Sequence, residues 1–212
     1  MDPRSIRILA VDDHPLLRGG LAALFADQTD MKLVAQARNG HEAIEQFRTH
    51  HPDVTLMDLQ LPDMSGIDAI VAIRQDCPQA GIIVLTTYPG DVLAQRALRA
   101  GARGYILKEL AHKELLDTIR AVNSGKKRID SEVASRIAQH LGHEDLTPRE
   151  LDVLDLIRGG KKNKQIADQL SIAETTVNYH IGNIVGKLQA NDRTHAVTIA
   201  LERGVLQIRG CG

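Results

Sequence analysis

The sequence predicts two fold classes in succession on one chain, an α/β domain on an open parallel sheet and then a wholly helical domain. Three observations carry this. Short apolar runs alternate with helix-like stretches from residue 6 to about residue 124, the pattern of strands covered on both faces by crossover helices. From about residue 146 onward the apolar spacing is helical throughout. A chain of 212 residues is also long enough for two small domains, each with a core of its own.

In chain order, strands are expected at roughly 6–11, 32–36, 53–57, 82–86 and 104–107, and helices at roughly 15–27, 40–49, 66–75, 90–100 and 111–124. Gly101 and Gly104 suit helix-exit turns, and Gly81 suits the reversal before the fourth strand. Ser124-Gly125-Lys126-Lys127-Arg128 then breaks the alternation. We read roughly 1–125 as the first domain and 126–145 as a linker holding one short helix, Glu132 to Leu141, ahead of Gly142-His143-Glu144-Asp145. The helical domain, 146–212, opens on Thr147 as N-cap, Pro148 in the first helical position and Glu150 closing a capping box. Its first helix stops at Gly159-Gly160. A second starts near Asn163 with Ile166, Ala167 and Leu170 inward. A third runs from about Glu174 to Leu188 on a stripe of Val177, Ile181, Ile184, Val185 and Leu188, and a fourth covers Arg193 to Leu201. The turn Ser171-Ile172-Ala173 between the second and third makes a helix-turn-helix.

Composition removes several function classes. A formal net charge of −1 excludes a general basic coat, so polyanion binding has to be local. Cys77 and Cys211 are too few for a disulfide framework and stand in no metal-ligand spacing. The nine His are scattered, and His140 and His143 lack the spacing of a helical metal pair. No run approaches the length of a membrane span, and the N-terminus, Met1-Asp2-Pro3, leads straight into a strand. The expectation is a cytoplasmic protein with no membrane partner.

Candidate chemistry gathers at the strand ends. The apolar run before Asp58 and the Pro/Gly-punctuated loop Leu61-Pro62-Asp63-Met64-Ser65-Gly66 after it deliver Asp58 to the carboxyl end of the third strand. Asp12 and Asp13 follow the first strand, and in an open α/β sheet such ends share one crevice. A carboxylate can attack phosphorus to give an aspartyl phosphate, but two anions must first be brought together, which a divalent cation achieves. Magnesium takes oxygen ligands from one or two carboxylates plus phosphate and water. Lys108, after the fifth strand, can place a charge on the phosphoryl oxygens, and Thr86, ending the fourth, can donate a hydroxyl. Singly these are a turn-forming Asp, a solvated Lys and a strand Thr. Their joint placement at four strand ends outweighs that reading.

Val11-Asp12-Asp13-His14, Met57-Asp58-Leu59-Gln60-Leu61-Pro62, Val84-Leu85-Thr86-Thr87 and Gly104-Tyr105-Ile106-Leu107-Lys108 together resemble the receiver domain of bacterial two-component response regulators. The resemblance implies a flavodoxin-like fold and phosphotransfer from a sensor histidine kinase onto Asp58. It implies Mg2+ held by Asp12, Asp13, Asp58 and the Gln60 carbonyl, and a switch in which Thr86 moves onto the phosphoryl group while Tyr105 turns inward.

Residues 146–203 resemble the LuxR-type helix-turn-helix that, joined to a receiver, defines the NarL/FixJ response regulators. Leu146-Thr147-Pro148-Arg149-Glu150, Asn163-Lys164-Gln165-Ile166-Ala167, Thr175-Thr176-Val177 and His180-Ile181-Gly182-Asn183-Ile184 carry that likeness. It implies double-stranded promoter DNA as partner and a homodimer when phosphorylated. From Asp145 onward nine Lys and Arg face eight Asp and Glu, so basicity is local: Lys161, Lys162 and Lys164, with Lys187 and Arg193 further on. Thr175 and Thr176 open the third helix, where backbone N–H groups can meet phosphate. Asn178, Tyr179 and Asn183 are the candidate base readers, Asn by bidentate pairing with adenine, and Gly182 lies on the same face. Many relatives have Lys or Arg at the positions of Asn178 and Gly182, and Ser or Thr at that of Ala173.

Two other classes compete with a phosphorylation-controlled transcription factor. One is a metal-dependent phosphatase with Asp58 as turnover nucleophile, but haloacid-dehalogenase enzymes carry a second Asp where Gln60 stands, so no turnover enzyme is expected. The other is a receiver-fold transcription factor that dimerises without phosphate.

Overall fold

A computed structural model describes residues 5–87, 90–109, 112–140 and 144–206. Leu141, Gly142, His143, Cys211 and the N-terminal Met1-Asp2-Pro3, invoked above, lie outside them. The chain divides into two compact units: Ser135 ends the first, and the second holds Arg136 onward together with Gly90–Leu93, which hold the start of a helix that otherwise belongs to the first. Each is described by itself.

The first unit alternates β1 (Ile6–Val11), α1 (Pro15–Ala26), β2 (Met31–Ala37), α2 (Gly40–His50), β3 (Val54–Met57), α3 (Gly66–Asp76), β4 (Gly81–Thr86), α4 (Asp91–Arg99), β5 (Gly104–Leu107) and α5 (His112–Asn123). All strand pairs are parallel, in the order β2-β1-β3-β4-β5-β6, where β6 is Arg128–Ile129. The first five follow the flavodoxin-like order, whose direction of winding reverses between β1 and β3. The sequence pattern places β6 within the expected linker, 126–145. Two residues in a Lys/Arg-rich run carry no strand periodicity, yet Gly104↔Arg128 and Tyr105↔Ile129 extend the sheet edge.

Alternation explains why the strands read as continuous apolar runs. Ile8, Ala10, Val54, Leu56, Ile83, Leu85 and Ile106 pack on one face with Leu21 and Phe25 of α1 and Leu115, Ile119 and Val122 of α5. The alternate positions Leu9, Met57, Ile82, Val84 and Tyr105 are fully buried as well. Side chains of opposite direction both find a dry layer, as a doubly wound sheet requires.

After β6 comes α6 (Ser131–Gln139), capped by Asp130, whose Oδ1 accepts from the Glu132 and Val133 N–H groups. The second unit contains α7 (Pro148–Arg158), α8 (Asn163–Leu170), α9 (Glu174–Leu188) and α10 (Arg193–Glu202). The expected capping box is present at α7: Thr147 Oγ1 accepts from the Glu150 N–H, and Glu150 Oε2 from the Thr147 N–H. Asp192, not singled out from sequence, caps α10 by accepting from the Thr194 and His195 N–H groups. Val153, Leu154, Ile157, Ile166, Val177, Ile184, Leu188, Ala196 and Ala200 form the core of this unit.

Candidate functional site

Sheet register assembles the first site. Val11 is paired with Met57, Met57 with Val84, and Thr86 with Leu107. The residues at or just beyond those pairs, Asp12, Asp58, Thr86 and Lys108, therefore line up across the carboxyl ends of four adjacent strands. The Asp58 N–H donates to the Val11 carbonyl at 3.0 Å and the Lys108 N–H to the Thr86 carbonyl at 2.8 Å, which carries the ladder up to the site itself.

Asp12, Asp58 and Thr86 are buried, while Asp13 keeps 41% of its side chain exposed. Lys108 Nζ bridges the two buried acids, 2.6 Å from Asp12 Oδ2 and 2.7 Å from Asp58 Oδ2. Both contacts set the ammonium against a buried carboxylate. Burial pushes the Asp58 carboxyl above its ordinary range; Lys108 pulls it back and the neighbouring Asp12 charge adds to the rise. For Lys108 burial works against the charge, but the two carboxylates outweigh it and the ammonium is held more firmly than usual. The fully buried Tyr105 hydroxyl is raised by burial and by the Asp58 charge, which places this residue within electrical reach of the acid.

The loop after Asp58 is pinned at both ends. Asp63 accepts from the Gly40 and His41 N–H groups at 2.8 and 2.9 Å. Its slight burial is outweighed by these bonds at the start of α2, and its carboxyl lies far below the ordinary range. At the other end Gly66 packs on the site: a Cβ there would lie 2.0 Å from the Asp58 carbonyl oxygen and 2.8 Å from Leu59 Cα. Only glycine allows that approach.

Ligand atoms of Asp12, Asp13, His14 and Asp58 all lie within 4.8 Å of one another. His14 Nδ1 is 2.7 Å from Asp13 Oδ1 and 3.2 Å from Asp12 Oδ1. Carboxylate oxygens crowded this closely fit a hard divalent cation. Gln60 meets the cluster through its N–H, which donates to Asp58 Oδ1 at 3.2 Å.

The second site is the outer face of α8 and α9. Lys161, Lys162 and Lys164 are exposed and make no ion pair among the described residues. Thr175, Asn178 and Gly182 are exposed, Tyr179 keeps 67% of its surface, and Thr176 and Asn183 are half-buried. Two expected DNA contacts are engaged inside the unit instead. Lys187 Nζ lies 2.9 Å from Oε2 of the buried Glu150 and donates to the Asp145 carbonyl, and only 19% of its side chain is exposed. Burial would raise the Glu150 carboxyl, but the Thr147 N–H and Lys187 hold it below its usual range. Arg193 donates to Asn163 Oδ1 and to the Lys161 carbonyl.

The family model of the response regulator receiver domain matches residues 8–120, more than half of the chain, and that of the bacterial regulatory proteins of the luxR family matches 144–200. The chain belongs to the LuxR-type two-component response regulators. Response regulator protein VraR of Staphylococcus aureus is 36% identical over 208 residues, 96% of this chain and all of the relative. Among solved structures, the response regulator ChrA of a heme-sensing two-component system matches at TM-score 0.57 and 32% identity over 95% of this chain and 99% of that one. An RcsB–DNA complex matches at TM-score 0.71 over 94% and 99%, and at 22% identity the likeness is one of fold.

This response regulator is therefore a transcription regulator with a receiver and a DNA-binding domain, and its receiver carries an acidic pocket. No described helix is long and apolar enough to cross a membrane. The structure places Asp12, Asp13, Asp58, Thr86 and Lys108, the residues singled out from the sequence, at the carboxyl ends of adjacent strands. Sequence reasoning assigned no role to Gly66, although the Pro/Gly loop was the signal. It also missed Arg18, which donates to the Asp12 carbonyl and for which the sequence holds no signal.

Proposed function

We propose that this response regulator takes a phosphoryl group on Asp58 from a sensor histidine kinase, and that the modification controls its binding, as a homodimer, to double-stranded promoter DNA in the cytoplasm. One observation carries the reading: Asp58, buried at the end of β3, is bridged by Lys108 Nζ at 2.7 Å and shares a cluster with Asp12 and Asp13. Asp12, Asp13, Asp58 and the Gln60 carbonyl are the groups that would hold Mg2+. Bound there, the ion supplies positive charge that lets a phosphoryl group approach the carboxylates.

An Asp58 carboxylate oxygen attacks phosphorus, the bond from phosphorus to the donor imidazole nitrogen breaks with its electron pair on the leaving imidazole, and an acyl phosphate results. Lys108 stabilises charge on the phosphoryl oxygens, and Thr86 supplies a hydroxyl to the same group. Tyr105, already buried, is the partner of Thr86 in the switch. Gln60 stands where a turnover phosphatase needs its acid, so the chain is an acceptor rather than a turnover enzyme.

Intact-mass spectrometry after incubation with a small acyl-phosphate donor and magnesium tests this. Wild type is expected to gain one phosphoryl group, with tighter dimerisation and DNA binding, and Asp58→Ala to gain none. Labelling that persists in Asp58→Ala overturns the assignment. DNA binding and dimerisation that are equal in both proteins and indifferent to the donor would instead favour a receiver-fold factor working without phosphate.

A further inference from the structure

Asn178 lies on the exposed face of α9, and its side-chain amide is oriented by two residues of the same unit. Arg193 donates from one guanidinium nitrogen to Asn163 Oδ1 at 2.8 Å and from the other to the Lys161 carbonyl at 2.9 Å. A guanidinium has no acceptor, so the Asn163 amide must turn its oxygen toward Arg193. Its Nδ2 then points the other way and donates to Asn178 Oδ1 at 2.7 Å. Each amide fixes the next, and the starting point, a group that only donates, removes the usual ambiguity of amide orientation. At the exposed end Nδ2 of Asn178 makes no hydrogen bond among the described residues.

We propose that Arg193 and Asn163 are positioning residues that turn Asn178 into a donor-only DNA contact, one that selects a hydrogen-bond acceptor on the duplex. This rests on the DNA-binding reading and alters one part of it. Bidentate recognition of adenine needs Oδ1 and Nδ2 of the same amide presented together, as acceptor from N6 and donor to N7. With Oδ1 turned toward Asn163, the outward Nδ2 matches an acceptor: N7 of guanine or adenine, O6 of guanine, O4 of thymine, or a phosphate oxygen. The relay also joins the start of α8 to α9 and α10, so three helices set the direction of one amide.

The test is site selection by the full-length protein from a library of short duplexes randomised at every position, followed by affinity measurements on the selected duplex and its single-base variants. Variants are Asn178→Ala, Asn163→Asp, Asn163→Ala and the double Asn163→Ala/Asn178→Ala. For wild type, one position per half-site is expected to favour an acceptor base over its alternatives by about ten-fold, the scale of one good base contact. Asn178→Ala should flatten that position alone. Asn163→Asp keeps an acceptor for Arg193 but has no donor for Asn178, so the Asn178 amide should reverse and the preference move toward adenine or cytosine. If the acceptor is a phosphate oxygen, Asn178→Ala weakens all duplexes by a similar factor, and Asn163→Ala weakens them no further when Asn178 is already Ala. That absence of further loss is expected in either case, and a purely structural Asn163 would not show it.

A wild-type preference for adenine over guanine that Asn178→Ala removes overturns the proposal, because a donor to N7 alone does not separate the two purines. So does an Asn163→Ala loss that persists undiminished in the double variant. If wild type selects no duplex at all, the DNA-binding reading fails with it, an outcome distinct from both.

Discussion

A methyl group added at Gly66 would lie 2.0 Å from a backbone oxygen, whereas one added at Gly182 or Gly186 would meet nothing within 4 Å. These glycines mark the difference between the two working regions. The acidic crevice is overdetermined: Asp12, Asp58, the bridging Lys108 and the loop behind Asp58 are held by neighbours, and burial pushes the Asp58 carboxyl up. The outer face of α8 and α9 is open, and much of what holds it in place sits behind the surface. Chemistry on phosphorus needs fixed charges in a dry place, while reading a duplex needs donors and cations left free for a partner.

The sharpest way to break the comparison is Gly66→Ala. The added carbon can be accommodated only by moving the Asp58 and Leu59 backbone, at a cost of about 3 kcal/mol by analogy with overpacked cores. Denaturant unfolding should show that loss, and mass spectrometry should show phosphoryl uptake on Asp58 falling with it. Wild-type stability and uptake would mean that the loop has freedom the crevice does not display.

Lys187→Met tests the boundary between the regions. Removing the ammonium leaves the buried Glu150 carboxylate without its ionic partner, with an expected loss of about 2 kcal/mol in the helical unit, below the range for fully buried pairs. Because Glu150 has a depressed pKa, its contribution is present above the ordinary glutamate range and fades as pH falls through the depressed value. The wild-type advantage should shrink accordingly. DNA affinity should keep its salt dependence. A reduced salt slope with unchanged stability would restore Lys187 to the phosphate contacts expected from the sequence.

How much of each region was legible follows from the same contrast. Acids ending apolar runs can be located in sequence because parallel strands must end on one edge of the sheet, so Asp12, Asp58, Thr86 and Lys108 were placed by topology. The two-residue β6 was not legible, since Arg128 and Ile129 carry too short a pattern to distinguish a strand from a linker. Nor were the roles of Lys187 and Arg193, whose partners lie 37 and 30 positions away in the chain. A surface lysine and a lysine held by a buried glutamate are alike until the fold brings the partner in.

Asp58→Asn probes the cost of the crowded crevice. The folded pKa of Asp58 is raised, so its ionisation disfavours the fold: stability is fully present below the ordinary aspartate value and is lost as pH rises through the raised one. Thermal midpoints of wild type and variant should agree at the acid end and separate above it, the variant more stable by on the order of 1 kcal/mol while Lys108 keeps Asp12 as its partner. Magnesium should raise the wild-type midpoint and close the gap. A gap that is constant with pH would show that the Asp58 charge is not its source.

Gly182→Ala and Gly186→Ala give the smallest effect and the cleanest separation of fold from function. Both glycines are exposed within α9, and neither has a positive φ that would require glycine. Nothing in the unit stands where the new carbon would go. Each substitution should therefore stabilise the helix by about 0.8–1.0 kcal/mol, the full difference in helix propensity. If the bare helix face lets the α9 backbone come close to the duplex, the more stable variants will bind DNA more weakly, and the loss will appear at every sequence because it acts through distance rather than through a base contact. Unchanged affinity alongside the expected gain in stability would show that the glycines are merely tolerated, and that recognition rests on the side chains of Asn178, Tyr179 and Asn183.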